Sequence, residues 1–151
     1  MKIIDLTGRR AVVTGSTSGI GFAIAHGLAE AGASVVINGR TQQNVEQAGQ
    51  RLLDTLPQAK IEGVAADMSR ADGISAFIQH APEADILVNN LGIFEAKPFA
   101  SITDDDWQRF FDTNVMSASV CRATTCRPWC GAAGVVLFSF RANPVCTSRP
   151  K

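Results

Sequence analysis

The chain has 151 residues, 46% of them hydrophobic, and a formal net charge of zero at pH 7. This length is enough for one domain with a hydrophobic core. A neutral chain offers no basic surface to nucleic acid, and its apolar runs are too short to span a membrane. Asp5 interrupts the start of the chain, where a secretory signal needs apolar residues. We therefore expect a cytoplasmic protein with neither nucleic acid nor membrane as a partner.

Short apolar runs alternate with amphipathic patterns through the first two thirds of the chain. The patterns predict strands at 9–15, 34–39, 61–67 and 84–90, and helices at 20–33, 42–56, 71–81 and 101–118. Strands that alternate with helices form βαβ units, which build a doubly wound parallel sheet with helices on both faces. Ligands of such sheets bind at the carboxyl ends of the strands. In the first helix, the apolar residues at helical spacing are Ile20, Ala23, Ile24, Leu28 and Ala31.

The fourth predicted helix opens with Thr103, and Asp106 follows three residues later, which is the pattern of a capping box. Three consecutive acids, 104–106, could also suggest a metal site. Acids in a first helical turn complement the helix dipole, so we interpret them as a helix start and predict no metal.

The stretch TGSTSGIG directly follows the first strand and opens the first helix. Gly15 permits a tight turn, Gly19 lets the backbone approach a pyrophosphate, and Gly21 lets the helix pack close to the sheet. The helix start then offers free N–H groups and a positive dipole end to phosphate. This context predicts dinucleotide binding, and thus a Rossmann-type fold, with these candidate residues: Thr14, Gly15, Ser16, Thr17, Ser18, Gly19, Ile20 and Gly21.

The spacing Gly-x3-Gly-x-Gly after a threonine resembles the short-chain dehydrogenase/reductase family, and three further motifs agree in the same order. Asp67, followed by Met68, is similar to the acid that contacts the adenine ring in that family. Asn89, Asn90 and Gly92 lie in NNLG, which resembles the family's Asn-Asn-Ala-Gly. Asn114 in DTNVMS resembles the family's proton-relay asparagine.

This resemblance implies hydride transfer between a nicotinamide dinucleotide and a small carbonyl or alcohol substrate. It also implies a homo-oligomer that pairs through the helix of Asn114. We expect this oligomer to be disturbed here, because the continuation of that helix departs from the family pattern.

The stretch INGRT at the end of the second strand bears on the choice of cofactor. NAD-preferring members of the family place an acid there for the ribose 2′-hydroxyl, whereas this chain has Asn38 and Gly39. Arg40 could pair with a 2′-phosphate, or be an ordinary surface arginine, and Ser18 stands where NADP enzymes often have a basic residue. The stretch favours NADP(H), with NAD(H) as the alternative.

The family's Tyr-x3-Lys pair, which supplies the proton, is absent from these 151 residues. The sequence contains no tyrosine, and Lys151 is the only lysine after Lys97. We therefore expect an inactive fragment of an NAD(P)-dependent oxidoreductase, truncated after the fourth or fifth strand. The alternative is a non-catalytic dinucleotide-binding module.

The composition changes near residue 120: all four cysteines follow it, and no acid does. Their spacing, C-x4-C-x3-C-x15-C, lacks the short pairs of zinc sites, and disulfides would need an oxidising compartment. Back-translated and read one base out of frame, residues 118–146 permit a stretch that resembles the family. We therefore predict a frame change near 117–120, which divides the chain into a dinucleotide-binding part, 1–117, and an aberrant tail, 118–151.

The tail contains a pseudo fifth strand at 134–140, because apolar codons rich in T stay apolar when read one base off. Ser139 at its end imitates the family's catalytic serine. It lies one residue out of the family spacing, and such a slip turns a strand side chain to the opposite face. We expect Ser139 to be a poor candidate for catalysis.

Overall fold

The computed structural model describes residues 4–80, 84–119 and the backbone of 136–139, and its centre is a parallel sheet of five strands. The strands are β1 (Arg10–Val13), β2 (Ser34–Gly39), β3 (Ile61–Ala65), β4 (Ile86–Asn89) and β5 (Val136–Ser139). Their order across the sheet is β3-β2-β1-β4-β5, and every neighbouring pair is parallel. The predicted doubly wound α/β fold is confirmed.

The described part of the chain has four α-helices, which connect or follow the strands: α1 (Gly19–Glu30), α2 (Gln42–Thr55), α3 (Ala71–His80) and α4 (Asp104–Phe111). A 3₁₀ turn, Phe99–Ser101, precedes α4, and a π-helical turn, Asp112–Met116, follows it. The helix expected over 101–118 is present: it begins at Asp104, directly after the predicted N-cap Thr103, and continues through the π-helical turn to residue 119. The capping box at its start is confirmed, since Thr103 and Asp106 exchange both side-chain to backbone hydrogen bonds.

The core has two layers because successive strand residues face opposite sides of the sheet. Ala11 and Val13 of β1 lie in the layer covered by α1 and α2. Val12 lies in the other layer, with Leu87 of β4 and Phe77 of α3. Helices therefore cover both faces of the sheet.

The apolar stripe predicted for α1 is wrong in part. Ile20 is 66% exposed, and the fully buried positions are Gly21, Ala25 and Ala29. These small residues repeat every fourth position and let the helix lie close to β1. Ile24 and Leu28 of the predicted stripe are only partly buried at the edge of this contact. Close packing, which periodicity alone does not reveal, favours the small residues.

The fifth strand falls within the predicted range, beside β4, with Ser139 opposite Asn89 in the register. The side chain of Ser139, the four cysteines and residues 120–135 of the predicted tail lie outside the described residues. Among the helices that the structure describes, none is both long and apolar enough to cross a membrane.

Neighbouring leucines in α2 test the packing of the first core layer. Leu52 is fully buried, whereas Leu53 is partly exposed. We expect Leu52→Ala to lower the free energy of unfolding by about 2–5 kcal/mol, because it leaves a cavity under the sheet. Leu53→Ala should cost clearly less in the same urea titration. Equal losses for the two variants would contradict this packing.

Candidate functional site

The glycine loop between β1 and α1 presents the start of a helix to the carboxyl edge of the sheet. Gly15 and Gly19 have φ angles of +61° and +57°, in the left-handed region that favours glycine. Ser18 is the N-cap of α1, but its side chain makes no capping hydrogen bond, and the first turn contains no acid. The N–H groups of this turn, and the positive end of the helix dipole, are therefore available to an anion.

Gly21 sits where α1 comes closest to the loops of the sheet. A Cβ atom at this position would overlap the backbone oxygen of Gly15 and the side-chain amide of Asn90. The Asn90 amide uses this space to donate to the backbone oxygens of Thr14 and Gly15, at 3.1 and 2.9 Å. Gly21 therefore permits a contact that joins the glycine loop to the loop after β4.

Thr14 makes the second connection between these two loops. Its hydroxyl oxygen accepts hydrogen bonds from the backbone N–H groups of Asn90 and Leu91, both at 3.1 Å. Its own N–H donates to the oxygen of Val88 in β4. Thr14 is 2% exposed, so its side chain supports the loops from within and does not face solvent.

Asn38, at the end of β2, is buried and holds three chain segments together. Its side-chain amide donates to the backbone oxygens of Val64 and Ala66, both at 3.2 Å. Its side-chain oxygen accepts from the N–H of Gly15 at 3.2 Å. Its backbone exchanges hydrogen bonds with Ser16, whose hydroxyl accepts from the Asn38 N–H at 2.9 Å. Every polar group of this side chain is therefore used inside the protein.

A cleft of about 400 Å³ opens at this edge, between the glycine loop, the ends of β2 and β3, and the loop after β4. Several predicted site residues line it together: Gly15, Thr17, Ser18, Arg40, Asp67, Met68 and Gly92. Others lie behind it in the fold, namely Thr14, Ser16, Gly21 and Asn89, while Gly19 and Ile20 are exposed at the start of α1.

Asp67 and Met68 present different groups to the cleft. The Oδ1 atom of Asp67 accepts from the N–H and the hydroxyl of Ser69, at 3.0 and 2.7 Å. These bonds, with smaller contributions from the nearby charges of Arg40 and Arg70, hold the pKa of Asp67 below its ordinary value. Its second oxygen accepts no hydrogen bond from the described residues. Met68 is 1% exposed and packs in the core, so its backbone is what can face a ligand.

Asn89 lies at the end of β4, between β1 and β5, and is 5% exposed. Within the described part of the chain, its Oδ1 atom is the buried side-chain atom that has no hydrogen-bond partner. Buried acceptors normally find a donor.

Asn114 lies in the π-helical turn and binds the backbone of Ile93, in the loop after β4. Its Oδ1 atom accepts from the Ile93 N–H at 2.8 Å, and its Nδ2 donates to the Ile93 oxygen at 3.1 Å. Gly92 approaches this pair so closely that a Cβ there would lie 3.2 Å from Oδ1. Short π-helical turns are frequent at functional sites.

A second cleft, of about 430 Å³, lies beyond Asn114 and Ile93, between the loop after β4 and α4. Its walls include Phe94, Lys97 and Trp107. Because Ile93 also lines the first cleft, the two are neighbours. The arrangement can hold an elongated ligand with an anionic centre at α1 and an end near Asn114.

The chain is similar to known proteins in both sequence and fold. The family model described as short chain dehydrogenase matches residues 9–138. The chain belongs to the short chain dehydrogenase family. The oxidoreductase YvaG of Bacillus subtilis (strain 168) is 49% identical over 114 residues, which are 76% of this chain and 43% of that protein. The 3alpha-hydroxysteroid dehydrogenase of Mediterraneibacter gnavus is 36% identical over 120 residues, covering 77% of this chain and 48% of that one.

Solved structures of related enzymes have the same fold. L-Sorbose reductase from Gluconobacter frateurii, complexed with NADPH and L-sorbose, matches with a TM-score of 0.77 and 31% identity over 82% of this chain. The 3-oxoacyl (acyl-carrier-protein) reductase from Agrobacterium tumefaciens C58, with NADP bound, matches with a TM-score of 0.73 and 32% identity over 80%. The chain spans less than half the length of these four relatives.

The sequence motifs did not predict every residue of the first cleft in this member of the short chain dehydrogenase family. Arg109 and Thr113 line the first cleft, and Asn38 braces it. In the sequence, Asn38 was significant only because it stands where NAD-preferring members have an acid. Its bonds to Val64 and Ala66 depend on the pairing of β2 with β3, and no sequence motif marks them. The position of Arg109 likewise depends on how α4 meets the loop after β4.

Four charged residues hold α4 against the loop after β4. Lys97 contacts Asp106 at 2.8 Å and Glu95 at 3.3 Å, and Arg109 pairs with the same two acids. The bond from Lys97, followed by those from the N–H and hydroxyl of Thr103, holds the pKa of Asp106 well below its ordinary range. The network anchors the loop that carries Ile93, and hence the contact of Asn114.

The depressed pKa of Asp106 predicts a dependence of stability on pH. A carboxylate whose pKa is lowered by folding stabilises the native state above its unfolded pKa, and this stabilisation is lost as pH falls toward the folded pKa. We expect the melting temperature to fall between about pH 5 and pH 2, and Asp106→Asn to flatten this fall.

Asp105→Asn is the matched control, because Asp105 makes no salt bridge or side-chain hydrogen bond among the described residues. It should alter the slope of the melting temperature against pH clearly less than Asp106→Asn does. An unaltered slope in Asp106→Asn would show that the network around Lys97 does not stabilise the fold.

Proposed function

We propose that this chain binds a nicotinamide dinucleotide along the carboxyl edge of its sheet. The observation that carries the proposal is the N-terminus of α1, which has no side-chain cap and follows a glycine loop in which Gly21 leaves no room for a larger side chain. The pyrophosphate would lie against the N–H groups of this turn, at Ser18, Gly19 and Ile20. The adenine end would lie at Asp67, whose second oxygen can accept from an amino group.

The nicotinamide end would lie toward Gly92 and Asn114. The loop after β4 is fixed there by Thr14, by Asn90 and by the pairing of Asn114 with Ile93. A rigid loop next to an open cleft orients a bound ring without first having to be ordered. The side chain of Asn114 is committed to this loop, so its contribution is to position the site.

The cofactor that the cleft favours is NADP(H). Arg40 is exposed on the wall of the cleft, and no carboxylate among the described residues forms a salt bridge with it. The preceding residues provide no acid for a ribose 2′-hydroxyl, because Asn38 is buried and Gly39 has no side chain. A guanidinium in this place suits a 2′-phosphate. The NADPH and NADP in the related reductases support the same choice.

The reaction of the lineage is hydride transfer between the nicotinamide and a small carbonyl or alcohol compound, as the names of the related reductases and dehydrogenases indicate. When bound, the cofactor supplies or accepts the hydride. These 151 residues contain no tyrosine to supply the proton. We propose that they bind the dinucleotide without turnover, as a binding module or as an inactive fragment, and without the homo-oligomer implied by the resemblance.

A frame change near residues 117–120 remains our explanation for the composition of the tail. Every cysteine and no acid follows residue 120, whereas fourteen acids precede it. The family match extends past this point and ends at 138, within β5, where the apolar residues stay apolar in either frame. Under this proposal, residues 1–117 form the dinucleotide-binding part and 118–151 an aberrant tail.

Calorimetry of the 151-residue chain with NADPH and NADH tests the cofactor proposal. We expect NADPH to bind more tightly, and Arg40→Ala to weaken NADPH roughly ten- to hundredfold while changing NADH little, because a charge-assisted contact to the 2′-phosphate is lost. Arg70→Ala removes the same charge outside the lining of the cleft and should preserve the preference. Equal losses in the two arginine variants, or cofactor-dependent turnover of a carbonyl compound above background, would contradict the proposal.

Resequencing the gene across codons 110–125 tests the frame proposal. We expect an inserted or missing base there, whose correction extends the family pattern beyond Asn114. A reading frame that stands as given would refute it.

A further inference from the structure

Gly39 ends β2 on the wall of the first cleft, directly before Arg40. Its backbone does not lie in the left-handed region, so a residue with a side chain could adopt this conformation. The obstacle is space. A Cβ at position 39 would overlap the Cγ2 methyl of Thr17 and would lie 3.1 Å from Cγ2 of Val45. Contacts this close require the neighbouring side chain to move.

Of the two neighbours, Val45 is 2% exposed and belongs to the core under α2, whereas Thr17 is partly exposed on the glycine loop. The Oγ1 atom of Thr17 would lie 3.4 Å from the added Cβ, at ordinary contact distance. The main conflict is therefore with the Thr17 methyl group, and the contact with Val45 is the smaller one.

The place of this conflict is important for the choice of cofactor. In dinucleotide-binding sheets, an acid at the end of the second strand, about 20 residues after the glycine loop, accepts from the ribose 2′-hydroxyl of NAD, whereas a nearby arginine accommodates a 2′-phosphate. Gly39 occupies the strand position and Arg40 the neighbouring one.

We infer that Thr17 is a specificity-determining residue, whose methyl group occupies the space that an acidic side chain at position 39 would need. This inference rests on the proposed binding of a dinucleotide in the first cleft. Thr17 and Gly39 then act as a pair: the threonine keeps position 39 free of a side chain, and the open strand end leaves Arg40 as the charge beside the ribose. A change of cofactor preference requires substitution of both residues.

The steric part of the inference can be tested without a ligand. Gly39→Ala should lower the urea midpoint of unfolding, and adding Thr17→Ser should restore most of the loss, because serine lacks the methyl group and retains the hydroxyl. Ser18→Ala is the matched control; Ser18 is the next residue of the loop and is absent from the contacts of position 39. Its addition to Gly39→Ala should restore nothing. The inference is wrong if Gly39→Ala costs no stability, or if both additions restore it equally.

The functional part requires calorimetry with NADH and NADPH on folded variants, checked by circular dichroism. Gly39→Asp alone should bind both cofactors weakly, because the new side chain meets Thr17. Adding Thr17→Ser should raise the affinity for NADH roughly tenfold over Gly39→Asp and leave NADPH at least roughly tenfold weaker than in the parent chain.

Binding of NADPH and NADH to the parent chain distinguishes failure of the proposed function from failure of the role of Thr17. If it binds neither cofactor, the proposed function fails. If it binds NADPH while the double variant binds NADH no better than Gly39→Asp, only the role of Thr17 is refuted.

Discussion

The carboxyl edge of the sheet depends on one buried amide. Asn38 binds Gly15 through its oxygen and two backbone oxygens after β3 through its nitrogen, so the glycine loop, β2 and β3 share one hydrogen-bonded centre. A buried polar group that loses its partner costs about 1–3 kcal/mol, so a shift of any one segment is opposed by the other two. The same bonds use every polar group of the Asn38 side chain, whereas Thr17, Arg40 and Asp67 also line the cleft and are more exposed.

The other side of the cleft depends on how the loop after β4 is held. Thr14 and Asn90 attach its start to the glycine loop, and Asn114 attaches Ile93 to the π-helical turn. Lys97 then anchors its continuation to Asp106 of α4. Because these contacts follow one another along the loop, the first cleft and the second keep a fixed relation. Asn114, which resembles the family's proton-relay asparagine, therefore helps to hold the loop after β4 in this chain.

The sequence predicted those features that depend on local chemistry. Gly15 and Gly19 could be read as turn residues because only glycine enters the left-handed region without strain, and Thr103 with Asp106 formed a recognisable cap. Alternating periodicity gave the order and type of the main elements. The buried face of α1 was predicted incorrectly, because hydrophobicity favoured Ile20 whereas contact with the sheet required the small side chain of Ala25. Arg109 could not be predicted, since its place depends on a contact between distant segments.

By itself, the sequence determined the family, the βαβ order, the glycine turn before the first helix and the absence of tyrosine from these 151 residues, because each is fixed by residue identity and short spacing. Only the tertiary structure decided which of the candidate residues face the cleft and which support it from behind. In the folded chain, Thr14 and Asn38 are buried and the Met68 side chain packs in the core. The methyl group of Thr17 lies against Gly39. The physical reason is that burial and close contact arise between segments far apart in the chain, so the space around a side chain exists only once the sheet and its loops have come together.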